Sequence, residues 1–303
     1  MADTSPILTL ERVSKTFVTK PVFGPARRVE ALRRVSLTLQ PGKALALVGE
    51  SGSGKSTVGR LIVRHYAPTE GRILFEGQDI ETNHSRALEK AYQRSVQMVF
   101  QDPFSALNPA HTIRHHLLRP LALHQPDRDP ERALLDLLGD VELDPKSTPD
   151  KYPHELSGGQ RQRVNFARAL AVNARLIVAD EPTSMLDVSI RKSVLGLMRR
   201  LKDERGLALL YITHDIATAQ YLAEETAVMF RGQIVEQGPT ARVVGAPQHA
   251  YTQLLRSAVP DPAIRLGGDG QSFAEQAAQV RKDAARDVTS MTMAGDGHFF
   301  ALH

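Results

Sequence analysis

Cysteine is absent from all 303 residues, which excludes disulfides, thiolate metal sites and a cysteine nucleophile, and agrees with a reducing compartment. Long apolar runs are absent too. Nowhere do eighteen apolar residues follow one another, and the longest clear run, 207–212, suits a buried strand and cannot cross a bilayer. The opening Met1-Ala2-Asp3-Thr4-Ser5-Pro6 has neither the basic flank nor the apolar stretch of a secretory signal, so the chain is expected to stay in the cytoplasm. No internal repeat or long low-complexity tract occurs. Charge of one sign is scarce as well: 38 Lys and Arg against 34 Asp and Glu leave a formal charge of +4. So small an excess argues against a nucleic-acid partner, which needs a concentrated basic patch. The most basic stretch, Lys20 to Arg34 with Arg27, Arg28, Arg33 and Arg34, reads as a solvated loop, with an anionic lipid or partner surface as the sharper alternative.

What is present has globular proportions, 42% hydrophobic and 24% charged residues. Residues 7–13 and 30–39 read as strands separated by a Pro/Gly/Arg-rich loop. Pro41-Gly42 then turns the chain into Ala44-Leu45-Ala46-Leu47-Val48, an apolar run typical of a strand covered on both faces. Runs at 96–100, 176–179, 208–212 and 227–230 look the same, and helical periodicity falls between them, as in 188–202. Alternating strands and helices predict an α/β domain with a mainly parallel sheet. Residues 102–170 break the alternation and read as an inserted helical subdomain punctuated by prolines. Past Pro260 come Gly267-Gly268-Asp269-Gly270 and a polar stretch, read as a tail over 261–303 whose apolar end, Phe299-Phe300-Ala301-Leu302, is a candidate for docking on the core.

The strongest motif is Gly49-Glu50-Ser51-Gly52-Ser53-Gly54-Lys55-Ser56-Thr57, a complete G-x-x-x-x-G-K-[ST] placed after a buried strand and before a helical pattern. Its glycines let successive N–H groups converge on phosphate oxygens, and the positive end of the following helix adds to the attraction. Lys55 is expected to neutralise the β- and γ-phosphates and the Ser56 hydroxyl to ligate Mg²⁺. These residues predict a nucleoside-triphosphate site. A second element, Leu176-Ile177-Val178-Ala179-Asp180-Glu181, ends an apolar strand in two acids at the sheet edge where ligands of open α/β sheets bind. Asp180 is then expected to hold Mg²⁺ through water and Glu181 to polarise the attacking water; capping of the next helix is the plainer reading. Leu156-Ser157-Gly158-Gly159-Gln160 opens a helix, which is either ordinary capping or a second anion pocket. His111, His115, His116 and His124 include imidazoles one helical turn apart, a metal-binding spacing, but a solvated or partner-docking helix face explains them better.

In this order the motifs resemble the ABC ATPase family over residues 7–260, with 261–303 as a family-specific tail. Gln101 after the 96–100 run, Ser184-Met185-Leu186-Asp187 after Glu181-Pro182, and His214 after the 208–213 run complete the set. The resemblance implies a P-loop NTPase (RecA-like) core with an antiparallel β subdomain and the helical insert. It implies two cassettes closing head to tail around two ATP molecules, each between one loop 49–57 and the Ser157/Gly159 pocket of the other chain. It also assigns Gln101 to Mg²⁺ and the attacking water, His214 to the γ-phosphate, Asp187 to coupling of the two sites and Phe17 to the adenine. Val99-Phe100-Gln101-Asp102-Pro103-Phe104-Ser105-Ala106-Leu107-Asn108-Pro109 and the segment His249 to Pro260 are similar to those of oligopeptide, dipeptide and nickel importers, and the basic insert before Glu30 with Ile177-Val178-Ala179-Asp180-Glu181 resembles their second (F-type) ATPase. Such systems imply a paralogous second ATPase, two permeases and an extracytoplasmic binding protein, with this chain peripheral on the cytoplasmic face of the inner membrane. Peptides are the expected cargo, with oligosaccharides, opines or nickel chelates as alternatives, and a soluble ABC ATPase outside transport is the rival reading. Met185 stands where the family usually has Ala, and His249-Ala250 replaces the usual His-Pro.

Overall fold

Those short apolar runs become strands and the amphipathic stretches helices in the computed structural model, which describes residues 5–20, 24–82, 85–258 and 270–303, with side chains from 274 in the last segment. Residues 1–4, part of the basic stretch (21–23), the end of the 249–260 motif and Gly267-Gly268-Asp269 lie outside the described residues. The chain begins with β1 (Leu8–Thr19), β2 (Arg27–Leu39), β3 (Ala44–Val48), α1 (Lys55–Ile62), β4 (Glu70–Phe75) and β5 (Gln78–Asp79). Next come α2 (Arg86–Ser95), β6 (Val96–Val99), α3 (Ile113–His124), α4 (Pro130–Asp140), α5 (Gly158–Ala171), β7 (Leu176–Asp180) and α6 (Val188–Arg205). The last part holds β8 (Ala208–Thr213), α7 (Ile216–Leu222), β9 (Glu225–Phe230), β10 (Gln233–Pro239), α8 (Thr240–Gly245) and α9 (Ala250–Ser257). It closes with α10 (Gly270–Ala284), β11 (Ser290–Gly295) and β12 (His298–Leu302). Two compact units result: residues 1–39, 44–81 and 211–303 form the first, and 40–43 with 82–210 the second.

In the first unit an antiparallel sheet has the order β2-β1-β4-β5. Its β1–β2 ladder runs from Leu8↔Leu39 out to Thr19↔Arg27. Arg33 and Arg34 lie in the expected strand, and Arg27 and Arg28 extend it where a solvated loop was expected. The reason is that the ladder continues beyond the buried stretch: residues 27–30 are exposed, so no hydrophobic alternation betrays the strand. The same unit pairs β3 with β9 in parallel, and then β9-β10-β12-β11 antiparallel. The expected mainly parallel sheet is thus mixed. Antiparallel pairing follows from two-residue turns: Arg231-Gly232 and Asp296-Gly297 both have positive φ at each residue, the geometry that matches strand twist in tight hairpins.

The tail from residue 270 is ordered structure of this unit. Ala284 and Ala301 are buried with Val228, Phe230, Val235 and Tyr251. Buried Glu236 ties the hairpin down. Its Oε1 accepts from His298 Nε2 at 2.6 Å and from the Gln248 N–H at 2.8 Å, and its Oε2 accepts from the His249 N–H at 3.0 Å. His249 Nδ1 in turn accepts the Tyr251 N–H at 3.1 Å, and its Nε2 lies 2.9 Å from His303 Nε2.

In the second unit β6 and β7 pair in parallel, Val96↔Leu176 to Val99↔Ala179, and all five residues of β7 are buried. Between them lie α3, α4 and α5. Each has a side-chain N-cap, Thr112, Asp129 and Ser157, and α4 starts on Pro130, whose missing N–H costs nothing in the first turn. Leu117 and Leu121 of α3 and Leu134, Leu137 and Leu138 of α4 form their buried faces.

Burial and the adjacent His303 push the His249 pKa down from 6.5 to about 4. The unfolded chain takes up this proton near pH 6.5, whereas the folded protein resists it until about pH 4. Stability therefore falls as pH drops through that window. His249→Gln should flatten the fall by roughly 2 kcal/mol, after allowance for solvent screening. Urea midpoints at pH 7 and 4.5 measure it; parallel losses in the two proteins would place the effect elsewhere.

Candidate nucleotide site

In the first unit, β3 leads into the loop Gly49–Ser53 and α1 opens at Lys55. A Cβ on Gly49 would lie 2.2 Å from the Met229 carbonyl oxygen and 2.9 Å from Ser53 Oγ, so only glycine lets the loop run this close to β9. Backbone bonds fix the loop's far side: Ser53 donates to Glu50 O at 3.2 Å, Gly232 donates to Ser53 O at 2.8 Å, and Arg33 donates to Gly232 O at 2.8 Å. Lys55 is only 4% exposed. Its ammonium donates to Gly49 O at 2.7 Å and Glu50 O at 2.8 Å, so carbonyls of the loop itself hold the charge in place. Helix α1 has no side-chain cap and no acid in its first turn, so its own first turn supplies nothing to offset its positive end. Ser56 and Thr57 are half-buried in that turn, while Ser51 and Gly52 are exposed.

In the second unit, β7 ends on Asp180, 7% exposed. Glu181 follows with φ +45°, a left-handed conformation that costs a non-glycine residue free energy. Ser184 holds the turn, its N–H at 3.2 Å and its hydroxyl at 3.0 Å from Glu181 O. The parallel register sets Gln101 just beyond β6 and beside Glu181, and Gln101 Nε2 donates to Glu181 Oε2 at 3.3 Å. Of the residues singled out in the sequence, these are brought into direct contact.

Ser157 caps α5: its Oγ accepts the Gln160 N–H at 3.3 Å and Gln160 Oε1 accepts the Ser157 N–H at 3.0 Å. Gly159 is buried in the first turn. Asp187 stands exposed at the start of α6 with no side-chain cap bond, and Met185 is exposed. His214 is exposed at the end of β8. Phe17 is half-buried, edge-on to Tyr66 at 5.1 Å, with Lys15 Nζ 5.2 Å from its ring centre. His111 and His115 stack at 4.0 Å, and His116 Nε2 lies 3.0 Å from Asn108 O, its pKa lowered by burial. Among the described residues no three His, Cys, Asp or Glu side chains are grouped to hold a metal. Sequence reasoning missed two contacts to the phosphate loop. The Glu50 N–H donates to the Tyr251 hydroxyl at 3.2 Å, and Arg281 donates to Glu50 Oε1 from Nε at 3.0 Å and Nη2 at 2.7 Å.

The ABC transporter family matches residues 32–184, from β2 through both motif-bearing strands. The chain belongs to the ABC transporter family. It is 45% identical to the oligopeptide transport ATP-binding protein AppF of Bacillus subtilis (strain 168), over 77% of this chain and 71% of that one. It is 40% identical to OppF of the same organism, also named an oligopeptide transport ATP-binding protein, over 86% and 84%. A glutathione import ATP-binding protein, GsiA of Pectobacterium atrosepticum, is 42% identical over 91% of this chain, which spans only 45% of its length. Among solved structures, the ATP-binding cassette MJ0796 in a post-hydrolysis dimer with ADP and Pi superposes with a TM-score of 0.66 at 29% identity, over 77% of this chain and 98% of that one. The cbiO1 subunit from Clostridium perfringens gives 0.68 at 25% identity, over 84% and 96%. The fold is thus that of the P-loop NTPases, and this ABC chain is an ATP-hydrolysing enzyme.

Gly49→Ala is expected to weaken ATP binding at least about tenfold, because the Met229 carbonyl or the loop must move. Titration with a fluorescent ATP analogue measures this on protein whose circular dichroism is unchanged. Wild-type affinity would show that the loop tolerates the methyl group.

Proposed function

We propose that this chain is the ATPase subunit of an importer for short peptides. The observation that supports it best is the likeness to AppF and OppF, both named for oligopeptide transport. The glutathione import relatives point the same way, since glutathione is a tripeptide. On this reading the chain works with a paralogous second ATPase, two permeases and, through them, an extracytoplasmic binding protein. It lies on the cytoplasmic face of the inner membrane; no helix among the described residues is long and apolar enough to cross a membrane. No nucleic-acid partner is involved.

The loop from Gly49 to Thr57 binds the triphosphate of ATP through its backbone N–H groups, with Lys55 on the β- and γ-phosphates. Phe17 packs on the adenine. Mg²⁺ fits the donors this chain offers: Ser56 Oγ, the amide oxygen of Gln101 and, through water, Asp180. All are hard oxygens, too few for a protein-only cage, and Mg²⁺ in phosphoryl-transfer sites completes its shell with phosphate and water. When bound, the ion neutralises charge on the phosphoryl oxygens. Glu181 takes the proton from the attacking water, and its contact with Gln101 fixes the direction of the carboxylate. His214 contacts the γ-phosphate. Ser157 and Gly159 meet the nucleotide held by the partner ATPase, and Asp187 links the two sites. ATP then holds the two ATPases together, and hydrolysis adds charge repulsion that lets them part and resets the permeases.

Glu181→Gln should retain ATP binding and slow hydrolysis at least about a hundredfold, read as phosphate release; wild-type turnover would remove Glu181 as the base. Lys55→Ala should lose nucleotide affinity. Affinity capture of the tagged chain from native membranes should bring down two multi-span proteins and a second ATPase. An eluate without integral membrane proteins would sink the importer reading and leave the ATPase intact.

A further inference from the structure

The phosphate-binding loop contains a single acidic side chain, Glu50, and an acid there opposes the arrival of a triphosphate. The segment after residue 245 holds that residue at two points. Arg281 on α10 places Nε and Nη2 at 3.0 and 2.7 Å from Glu50 Oε1. Tyr251 on α9 is fully buried, its ring 4.4 Å from Phe230 at the end of β9, and its hydroxyl accepts the Glu50 N–H at 3.2 Å. Burial raises the pKa of this phenol, so it stays neutral and keeps its proton.

Helix α10 is itself anchored. Ala284 lies in the cluster beside Tyr251, Gln233 Nε2 donates to Arg286 O at 2.9 Å, and Gln233 Oε1 accepts the Val288 N–H at 2.8 Å. The guanidinium is thus delivered to the loop by packed structure. Arg281 and Glu50 remain 43% and 35% exposed at their side chains. An ion pair so open to water adds little to folding stability, so its effect is expected in ligand binding.

We propose that Arg281, supported by Tyr251, is a positioning residue for ATP: it cancels the negative charge of Glu50 and draws that carboxylate away from the incoming phosphates. This rests on the reading of 49–57 as the phosphate loop.

The test uses the full chain and ATP itself, with affinity from calorimetry at low and high salt and melting temperature alongside. Arg281→Ala should raise the Kd for ATP about three- to tenfold at low salt, less at high salt, with little change in melting temperature. Arg281→Lys should recover part of the loss, since it restores charge without the two-pronged contact. In the Glu50→Gln background the Arg281→Ala effect should vanish, because no charge is left to cancel. Wild-type affinity in Arg281→Ala, an equal loss in the Glu50→Gln background, or a fall in melting temperature that Arg281→Lys reverses without change in Kd would overturn the proposal. Lys55→Ala serves as the reference. If it too binds ATP normally, the loop assignment fails and this proposal falls with it; if it loses ATP while Arg281→Ala does not, only this proposal fails.

Discussion

A loop that grips a polyanion with its own backbone must lie close to its supporting strand, and no side chain can stand between them. Gly49 meets that condition against the Met229 carbonyl, and much of the first unit is arranged around it. The run of backbone bonds from Ser53 through Gly232 to Arg33 fastens the loop to the β9–β10 turn and to β2. Lys55 is buried, and the same loop turns two carbonyls toward its ammonium.

The second unit solves a different problem, that of keeping two neighbouring carboxylates distinct. Asp180 is the last residue of a fully buried strand, whereas the left-handed backbone of Glu181 swings the next side chain out of the strand's alternation. That conformation is unfavourable in itself, and the two Ser184 bonds to the Glu181 carbonyl hold it in place. Gln101 then meets the Glu181 side chain because parallel register carries β6 to the same edge. One acid is fixed by burial and the other by a turn.

The parts legible in the sequence are those whose chemistry is contiguous. Gly49 to Thr57 and Asp180-Glu181 announce themselves by strand, loop and helix in unbroken order, and Ser157 caps α5 as its Ser-Gly-Gly-Gln context suggests. Residues 27–29 were not legible, because a ladder exposed on both faces leaves no pattern of hydrophobicity. The antiparallel half of the sheet left a signal in Asp296-Gly297 that reading the tail as polar passed over. Arg281 left none. It meets Glu50 across 231 residues, and nothing in a polar helical stretch reports so distant a partner.

The hairpin β11–β12 also has a consequence for the sheet it completes. Strand β12 occupies the hydrogen-bonding edge of β10, and β11 is the outermost strand of this unit, where Met293 is 60% exposed. An open strand edge is a template for pairing with other molecules. Proteolysis ahead of residue 290 would bare the edge of β10 together with the apolar surface under Ala301. The damage would then surface first as self-association and loss of solubility, before any failure of turnover could be assayed.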